Sequence, residues 1–252
     1  MNDLTAALRS VYLWGSIVSL TSAMYVVGFP LFMLTWPFDP TKRFGHLYAT
    51  IWGRTILWLN NRWRVDVRGK ENVPQDRALV IVSNHQGMGD IMLAYHLGTH
   101  FKWISKRSNF FVPFMGWFMF HAGYIPLERR NRKSIARALD RSREYLKAGV
   151  SILMFPEGTR TRTGEILPFK PGAFQLALET GCDILPVAMS GTMNALPNDT
   201  WIYSNEYHDL RMNIGKPISV EGLGDKDVTT LMERSRQAVL ELKRELDETP
   251  PV

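Results

Sequence analysis

Cysteine is nearly absent from this 252-residue chain, which has only Cys182. A single cysteine excludes an intramolecular disulfide. It also gives little support to a covalent thioester intermediate, because no activating partner for the thiol is visible in the sequence. Cys182 lies just before an apolar, strand-like run, and we interpret it as a structural residue.

Metal-binding and nucleic-acid-binding patterns are missing too. His96 and His100 have the spacing of a zinc-binding helix face, but Leu97 stands where a metalloprotease needs Glu, so no metal site is predicted. No helix-turn-helix, zinc finger or RNA-binding signature is visible, so nucleic acid is not an expected partner. The net charge of +6 therefore favours another anion: phospholipid, a phosphate-bearing substrate, coenzyme A or an acidic carrier protein.

Charged residues are absent from one long segment, the 29 residues from Ser10 to Phe38. As a helix, at about 1.5 Å per residue, this segment is long enough for a bilayer core of roughly 30 Å. Pro30 interrupts the apolar run, which is too long for a signal-peptide core. Two arrangements fit the sequence: a single membrane span, or a re-entrant or interfacial hairpin whose second arm includes Leu47 to Trp63. A buried core helix is the remaining alternative.

The chain divides into an N-terminal membrane-embedded or interfacial helical segment, residues 1–64, and an α/β domain, residues 65–252. In the second part strand-like and helix-like runs alternate, which predicts a mixed, mostly parallel sheet flanked by helices. The predicted strands lie near 65–68, 78–83, 101–105, 124–127, 150–155, 184–189 and 211–215. The predicted helices lie near 90–98, 108–121, 131–148, 172–180 and 227–247.

Residues 83–90 connect a strand-like run to a helix-like run and contain His85 and Asp90. The two glycines between them, Gly87 and Gly89, permit a tight, irregular turn that brings the two side chains together. A histidine oriented by a carboxylate is a minimal general base. The alternative is that Asp90 is only a helix N-cap.

A second polar segment, residues 155–160, reads Phe-Pro-Glu-Gly-Thr-Arg and follows another strand-like run. Together the two segments resemble the N-H-x-x-x-x-D and F-P-E-G-T-R blocks of the acyltransferase family that contains the 1-acyl-sn-glycerol-3-phosphate acyltransferases. Residues 123–129 and 184–188 resemble two further blocks, although Pro126 and Glu128 depart from the usual middle block. The resemblance covers roughly residues 65–220.

The resemblance implies a membrane-bound enzyme that moves a fatty acyl group from an acyl thioester to the sn-2 hydroxyl of lysophosphatidic acid. The donor, acyl-CoA or an acyl carrier protein, would be a co-substrate, with no permanently bound cofactor. The membrane is the expected location, with the active site on the cytoplasmic face. No Gly-x-Ser-x-Gly nucleophile elbow is present, so the acceptor hydroxyl would attack the thioester directly.

In this interpretation His85 is the base and Asp90 orients it. The resemblance assigns acceptor binding to the second block and to two further basic residues: Lys106, Arg129, Glu157, Gly158, Thr159 and Arg160. Arg160 would pair with phosphate, and Glu157 would orient Arg160. Three alternatives remain: another lysophospholipid, glycolipid or acyl-amino-acid lipid as acceptor; a hydrolase that uses water; and a non-catalytic membrane-surface binding protein.

Overall fold

The computed structural model describes residues 3–196, 200–203 and 206–250. Two long helices come first, α1 (Asp3–Thr35) and α2 (Arg43–Leu59). Helix α1 continues through Pro30, contrary to the predicted interruption. Proline removes one intrahelical hydrogen bond, and the other bonds of so long a helix keep it continuous.

Most of α1 is exposed: only 17% of its most apolar 18-residue window is buried. Val11, Val18 and Val27 are each about 60% exposed or more. The helix is therefore not buried in a core. By length and composition it is the one helix among the described residues that could cross a membrane.

One face of α1 nevertheless lies against the rest of the protein along much of its length. Near its start, Ser10 Oγ accepts the backbone N–H of Tyr203 at 2.8 Å. In its middle, Thr21 Oγ1 accepts the Trp52 indole N–H from α2 at 2.9 Å. Near its end the buried Phe32 stacks on His121. The two helices thus form a hairpin packed on the body of the molecule.

The rest of the chain forms a seven-stranded sheet with helices on both faces. The strands are β1 (Trp63–Arg68), β2 (Val80–Ser83), β3 (Phe101–Lys106), β4 (Ile125–Leu127), β5 (Ser151–Met154), β6 (Ile184–Ser190) and β7 (His208–Ile214). Their order is β1-β7-β6-β2-β5-β3-β4, and every pairing is parallel except β6 with β7. The mixed, mostly parallel sheet and all seven predicted strands are confirmed.

The remaining helices are α3 (Gly89–Ala94), α4 (Met115–His121), α5 (Arg132–Lys147), α6 (Gly172–Thr180), α7 (Thr192–Ala195) and α8 (Val228–Glu248). Short 3₁₀ turns occupy Lys70–Asn72, Arg107–Phe111 and Asp225–Asp227. The single helix predicted over 108–121 is wrong. Pro113 disfavours a helical residue before it, and Phe114 has a φ of +58°, so the chain turns sharply between the 3₁₀ turn and α4.

Alternating strand residues supply two separate cores. Ile81 and Leu153 point to the face covered by α1 to α4, whereas Val80 and Ile152 point to the face covered by α5, α6 and α8. The parallel strands β6, β2, β5, β3 and β4 all end at one edge of the sheet, here called the carboxyl edge. In sheets of this kind the loops at that edge form ligand-binding sites.

Candidate active site

His85 and Asp90 meet at the carboxyl edge, directly after β2. The Nδ1 atom of His85 lies 2.6 Å from Oδ2 of Asp90. The carboxylate is fully buried, and the imidazole side chain is 16% exposed. An ionised carboxylate only accepts hydrogen bonds, so Nδ1 is the donor here, and in a neutral imidazole Nε2 is then the acceptor nitrogen.

The turn between the two residues holds the carboxylate in place. Oδ2 of Asp90 also accepts the backbone N–H groups of Gln86 at 2.7 Å and Gly87 at 2.9 Å. These groups precede α3, whose N-cap residue is Met88. Asp90 is therefore not a simple N-cap: it closes the irregular turn and faces the imidazole.

Thr192, at the start of α7 after β6, completes the surroundings of the carboxylate. Its buried hydroxyl donates a short hydrogen bond to Oδ1 of Asp90. A side chain on Gly89 would come within 3.3 Å of the Thr192 Cβ, so glycine permits this close approach. Sequence reasoning missed Thr192, because about a hundred residues separate it from Asp90.

The second block, residues 155–160, lies beside the first, residues 83–90, because β5 pairs with β2. The ring of Phe155 stacks on His85, with centroids 4.1 Å apart and planes 18° apart. The backbone N–H of Thr161 donates to the His85 carbonyl at 2.9 Å. The imidazole is thus held between a carboxylate on one edge and an aromatic ring on one face.

Glu157 is buried and links the two blocks through backbone groups. Its Oε1 accepts the N–H of His85 at 2.7 Å, and its Oε2 accepts the N–H of Leu167 at 3.0 Å. Burial raises the pKa of this carboxyl group, and the two backbone donors oppose that shift. The predicted orientation of Arg160 by Glu157 stays a prediction. The contact with His85 is a positioning role that the sequence did not suggest.

The other predicted acceptor residues lie along the same edge. Gly158 has a φ of +71°, in the left-handed region that favours glycine, and a side chain there would meet the Lys170 ammonium at 2.5 Å. Thr159 and Arg160 follow it and are exposed. Lys170 was not among the predicted residues, and its ammonium adds a positive charge beside Gly158.

Lys106 and Arg129 are also exposed but lie further from His85. Lys106 ends β3, two strands from β2, and Arg129 follows β4, three strands from β2. At about 4.8 Å per strand these separations are roughly 10 and 14 Å. Both residues thus lie on the same edge of the sheet as His85 without contact with its imidazole, and their role in acceptor binding stays a prediction.

Cys182 lies at the opposite edge of the sheet, before the start of β6. Its half-buried thiol faces the Thr180 carbonyl at 3.8 Å. Cys182 does not belong to any loop at the carboxyl edge, so its thiol is remote from His85. Within the described ranges, no group of three or more His, Cys, Asp or Glu residues could hold a metal ion.

Comparison with known proteins identifies the family. Residues 64–190, just over half of the chain, match the family model described as Acyltransferase. The chain belongs to the acyltransferase family. The matched range contains both polar blocks and the candidate general base.

Relatives of this acyltransferase include a chloroplastic 1-acyl-sn-glycerol-3-phosphate acyltransferase of Arabidopsis thaliana, 35% identical over 220 residues, which cover 85% of this chain and 60% of that protein. A 1-acyl-sn-glycerol-3-phosphate acyltransferase of Saccharomyces cerevisiae is 33% identical over 195 residues, covering 75% and 62% respectively. The chain thus spans about 60% of the length of these curated relatives.

A solved structure shares the fold of this acyltransferase. The crystal structure of the 1-acyl-sn-glycerophosphate acyltransferase PlsC from Thermotoga maritima superposes with a TM-score of 0.77 at 24% identity. The match covers 98% of this chain and all of the other. It therefore includes the N-terminal helix as well as the sheet.

Proposed function

We propose that this acyltransferase moves a fatty acyl group from an acyl thioester to the sn-2 hydroxyl of lysophosphatidic acid, giving phosphatidic acid. The observation that carries the proposal is the 2.6 Å contact between His85 and Asp90 beside the second block. The names of the relatives support the choice of acceptor, since each is called a 1-acyl-sn-glycerol-3-phosphate acyltransferase.

In the proposed reaction the acceptor hydroxyl donates its proton to Nε2 of His85 as its oxygen attacks the thioester carbonyl. The carbonyl oxygen becomes an oxyanion, the carbon–sulfur bond then breaks, and the thiolate leaves. The imidazolium returns the proton to the thiolate, so thiol and ester are the products. Asp90 stabilises the imidazolium, as the acid does in a Ser-His-Asp triad.

Acceptor binding would use the carboxyl edge of the sheet. Arg160 would pair with the phosphate in fork geometry, and Lys106 and Arg129 would add positive charge further along the edge. Gly158 and Thr159 would shape the approach to the phosphate. Glu157 would act through the backbone N–H of His85 and so fix the position of the imidazole at the end of β2.

The membrane would hold both acceptor and product, which are amphiphiles. Contacts of α1 with the body run from Ser10 to Phe32, so we propose an interfacial hairpin in place of a free-standing span. A site at the bilayer surface avoids exposing acyl chains to water, at about 0.8 kcal/mol per CH₂. The proposed location of the site is the cytoplasmic face, with acyl-CoA or acyl carrier protein as donor.

The direct test incubates the purified protein in vesicles with an acyl thioester and a panel of lysolipids, and identifies products by mass. Phosphatidic acid formed from lysophosphatidic acid in preference to the other acceptors supports the proposal. Esters of another lysophospholipid, a glycolipid or an acyl-amino-acid lipid would move the assignment to that acceptor. Free fatty acid alone would indicate a hydrolase, and no conversion would indicate a binding protein.

A further inference from the structure

A large cavity lies at the opposite edge of the sheet from His85. Its volume is about 780 Å³, and it opens between the α1–α2 hairpin and the loop that precedes β3. The start of α2 is fixed there, because the buried Lys102 Nζ donates to the Lys42 carbonyl at 3.0 Å and to the Ala122 carbonyl at 2.7 Å. The lining includes no residue from the loops that carry His85 and Glu157, so the cavity is separate from the candidate active site.

The rim of the cavity is apolar and exposed. Leu34, Phe38 and Leu47 line it and are 69%, 87% and 58% exposed, respectively. They continue the exposed apolar surface of α1, which the proposed membrane contact would use. Hydrocarbon is the partner that such a rim fits, since apolar side chains exposed to this extent gain by leaving water.

The lining of the cavity also carries positive charge, because two exposed arginines, Arg43 and Arg54, belong to it. The carboxylate of Asp39, the acidic residue of the lining, already accepts the backbone N–H groups of Arg43 and Phe44 at 2.8 Å each. Nε and Nη2 of Arg54 donate to the Tyr95 carbonyl, which fixes the guanidinium at the wall. An anion paired with Arg43 would offset part of this charge.

Two histidines in the lining offer further hydrogen-bonding groups. The rings of His46 and His100 are 4.9 Å apart. His46 Nε2 bonds the Thr99 carbonyl at 3.2 Å, so its Nδ1 is an acceptor. Nδ1 of His46 and Nε2 of His100 are buried and have no partner among the described residues. A headgroup hydroxyl can both donate and accept hydrogen bonds, so it would satisfy these two nitrogens, with the headgroup phosphate beside it.

We propose that this cavity binds an anionic bilayer phospholipid whose headgroup carries a phosphate and a hydroxyl. The phosphate pairs with Arg43, which lies three residues before His46 on α2, the headgroup hydroxyl faces the two imidazoles, and an acyl chain lies on the apolar rim. Its size falls within the range of small-molecule sites, about 300–1,000 Å³. Such a lipid would hold the hairpin to the bilayer at a point remote from the chemistry.

The test is photolabelling of the full chain in phosphatidylcholine vesicles. The probe is phosphatidylglycerol with a diazirine on its acyl chain, and the matched probe is phosphatidylcholine with the same diazirine. Labelled peptides are mapped by mass spectrometry. We expect the phosphatidylglycerol probe to label residues 34–54 several-fold more than the phosphatidylcholine probe. Equal labelling by the two probes would overturn the proposal and indicate simple hydrocarbon contact.

The variant Arg43→Glu is expected to lower this labelling roughly tenfold, since it removes a charge-assisted contact and repels the phosphate. Arg244→Glu on α8 is the matched control and should label as the wild type does. A thermal melt of each variant verifies folding. Unchanged labelling in folded Arg43→Glu would contradict the site.

Competition distinguishes the source of the phosphate. Soluble dihexanoyl phosphatidylglycerol should displace the label at concentrations where inorganic phosphate does not. Displacement by inorganic phosphate at the same concentration would show a free-phosphate site and overturn the lipid assignment. Both outcomes are independent of acyl transfer, because the readout is the labelled peptide.

Discussion

Buried polar groups differ in their hydrogen bonding between the two edges of the sheet. At the carboxyl edge, both oxygens of Asp90 are occupied by donors from the turn, the imidazole and Thr192. At the other edge, Lys102 is buried with carbonyl partners only, and the nearby His46 Nδ1 and His100 Nε2 have no described partner. The first arrangement suits the proposed proton transfer, whereas the second leaves two buried nitrogens without a described hydrogen-bond partner.

The difference teaches which substitutions should affect catalysis and which should affect stability or lipid contact. Replacing the Asp90 carboxylate, whose two oxygens are both hydrogen-bonded, would leave the His85 imidazole without the group that orients it. A buried ammonium mainly adds a penalty for its own charge. Substitutions at the carboxyl edge should therefore lower the turnover number, and those at the other edge should change the free energy of unfolding.

The largest effect is expected from Asp90→Ala. Without the carboxylate the imidazole loses its tautomer and orientation, and kcat should fall about 10³- to 10⁴-fold. Asp140→Ala, which removes an exposed partner of Arg143 on α5, is the control and should retain activity. Initial rates of acylated lipid formation measure the effect. A loss below about tenfold in a folded protein would show that Asp90 does not orient the base.

Glu157→Gln should have the next largest effect. The amide can accept one of the two backbone N–H groups that Glu157 now accepts, and its own NH₂ group opposes the other. We expect the His85 backbone to shift and kcat to fall roughly 10²-fold, the order expected for a displacement of about 1 Å. Glu179→Gln, in an exposed pair with Arg143, is the control. A higher KM with an unchanged kcat would instead place Glu157 in acceptor binding.

A smaller effect is expected from Thr192→Val, which keeps the shape and removes the hydroxyl. One hydrogen bond to an ionised carboxylate is worth about 1.5–3 kcal/mol, so kcat should fall at least about tenfold. Thr180→Val removes a hydroxyl whose partner is a helix carbonyl and should leave kcat unchanged. Equal rates for Thr192→Val and wild type would mean that the turn alone holds Asp90.

The smallest effect concerns Lys102 and stability. Burial lowers the pKa of Lys102 from 10.5 to about 7. Between these values the unfolded chain binds the extra proton, so this residue makes stability rise with pH, by roughly 1 kcal/mol per unit. In Lys102→Met this rise should disappear. Urea unfolding of both proteins at pH 7, 8 and 9 measures it, and parallel pH profiles would contradict the lowered pKa of Lys102.

The sequence predicted the parts of the site that lie within local motifs. His85 and Asp90 are five residues apart across a glycine-containing turn, and the Phe-Pro-Glu-Gly-Thr-Arg block follows a strand. Parallel pairing of β2 with β5 then brings the two blocks together. The seven strands were found for a similar reason, since apolar strand-like runs between turns are a local signal.

Features that depend on tertiary contacts could not be predicted. Thr192 reaches Asp90 only because β6 pairs with β2. Lys102 appears as an ordinary polar residue within a strand, yet it is buried under the hairpin. The break before α4 depends on the conformation of Phe114, a bulky residue for which a positive φ is rare. The double backbone role of Glu157 has no signal in the order of residues.

The most direct test of the proposed chemistry compares His85→Ala with the wild type in two assays on the same vesicles. Acyl transfer to lysophosphatidic acid should fall by at least about 10³-fold, the order expected when a triad-type base is lost, while vesicle binding stays unchanged. Cys182→Ser should match the wild type in both assays. Undiminished transfer by folded His85→Ala would contradict the assignment of His85 as the base.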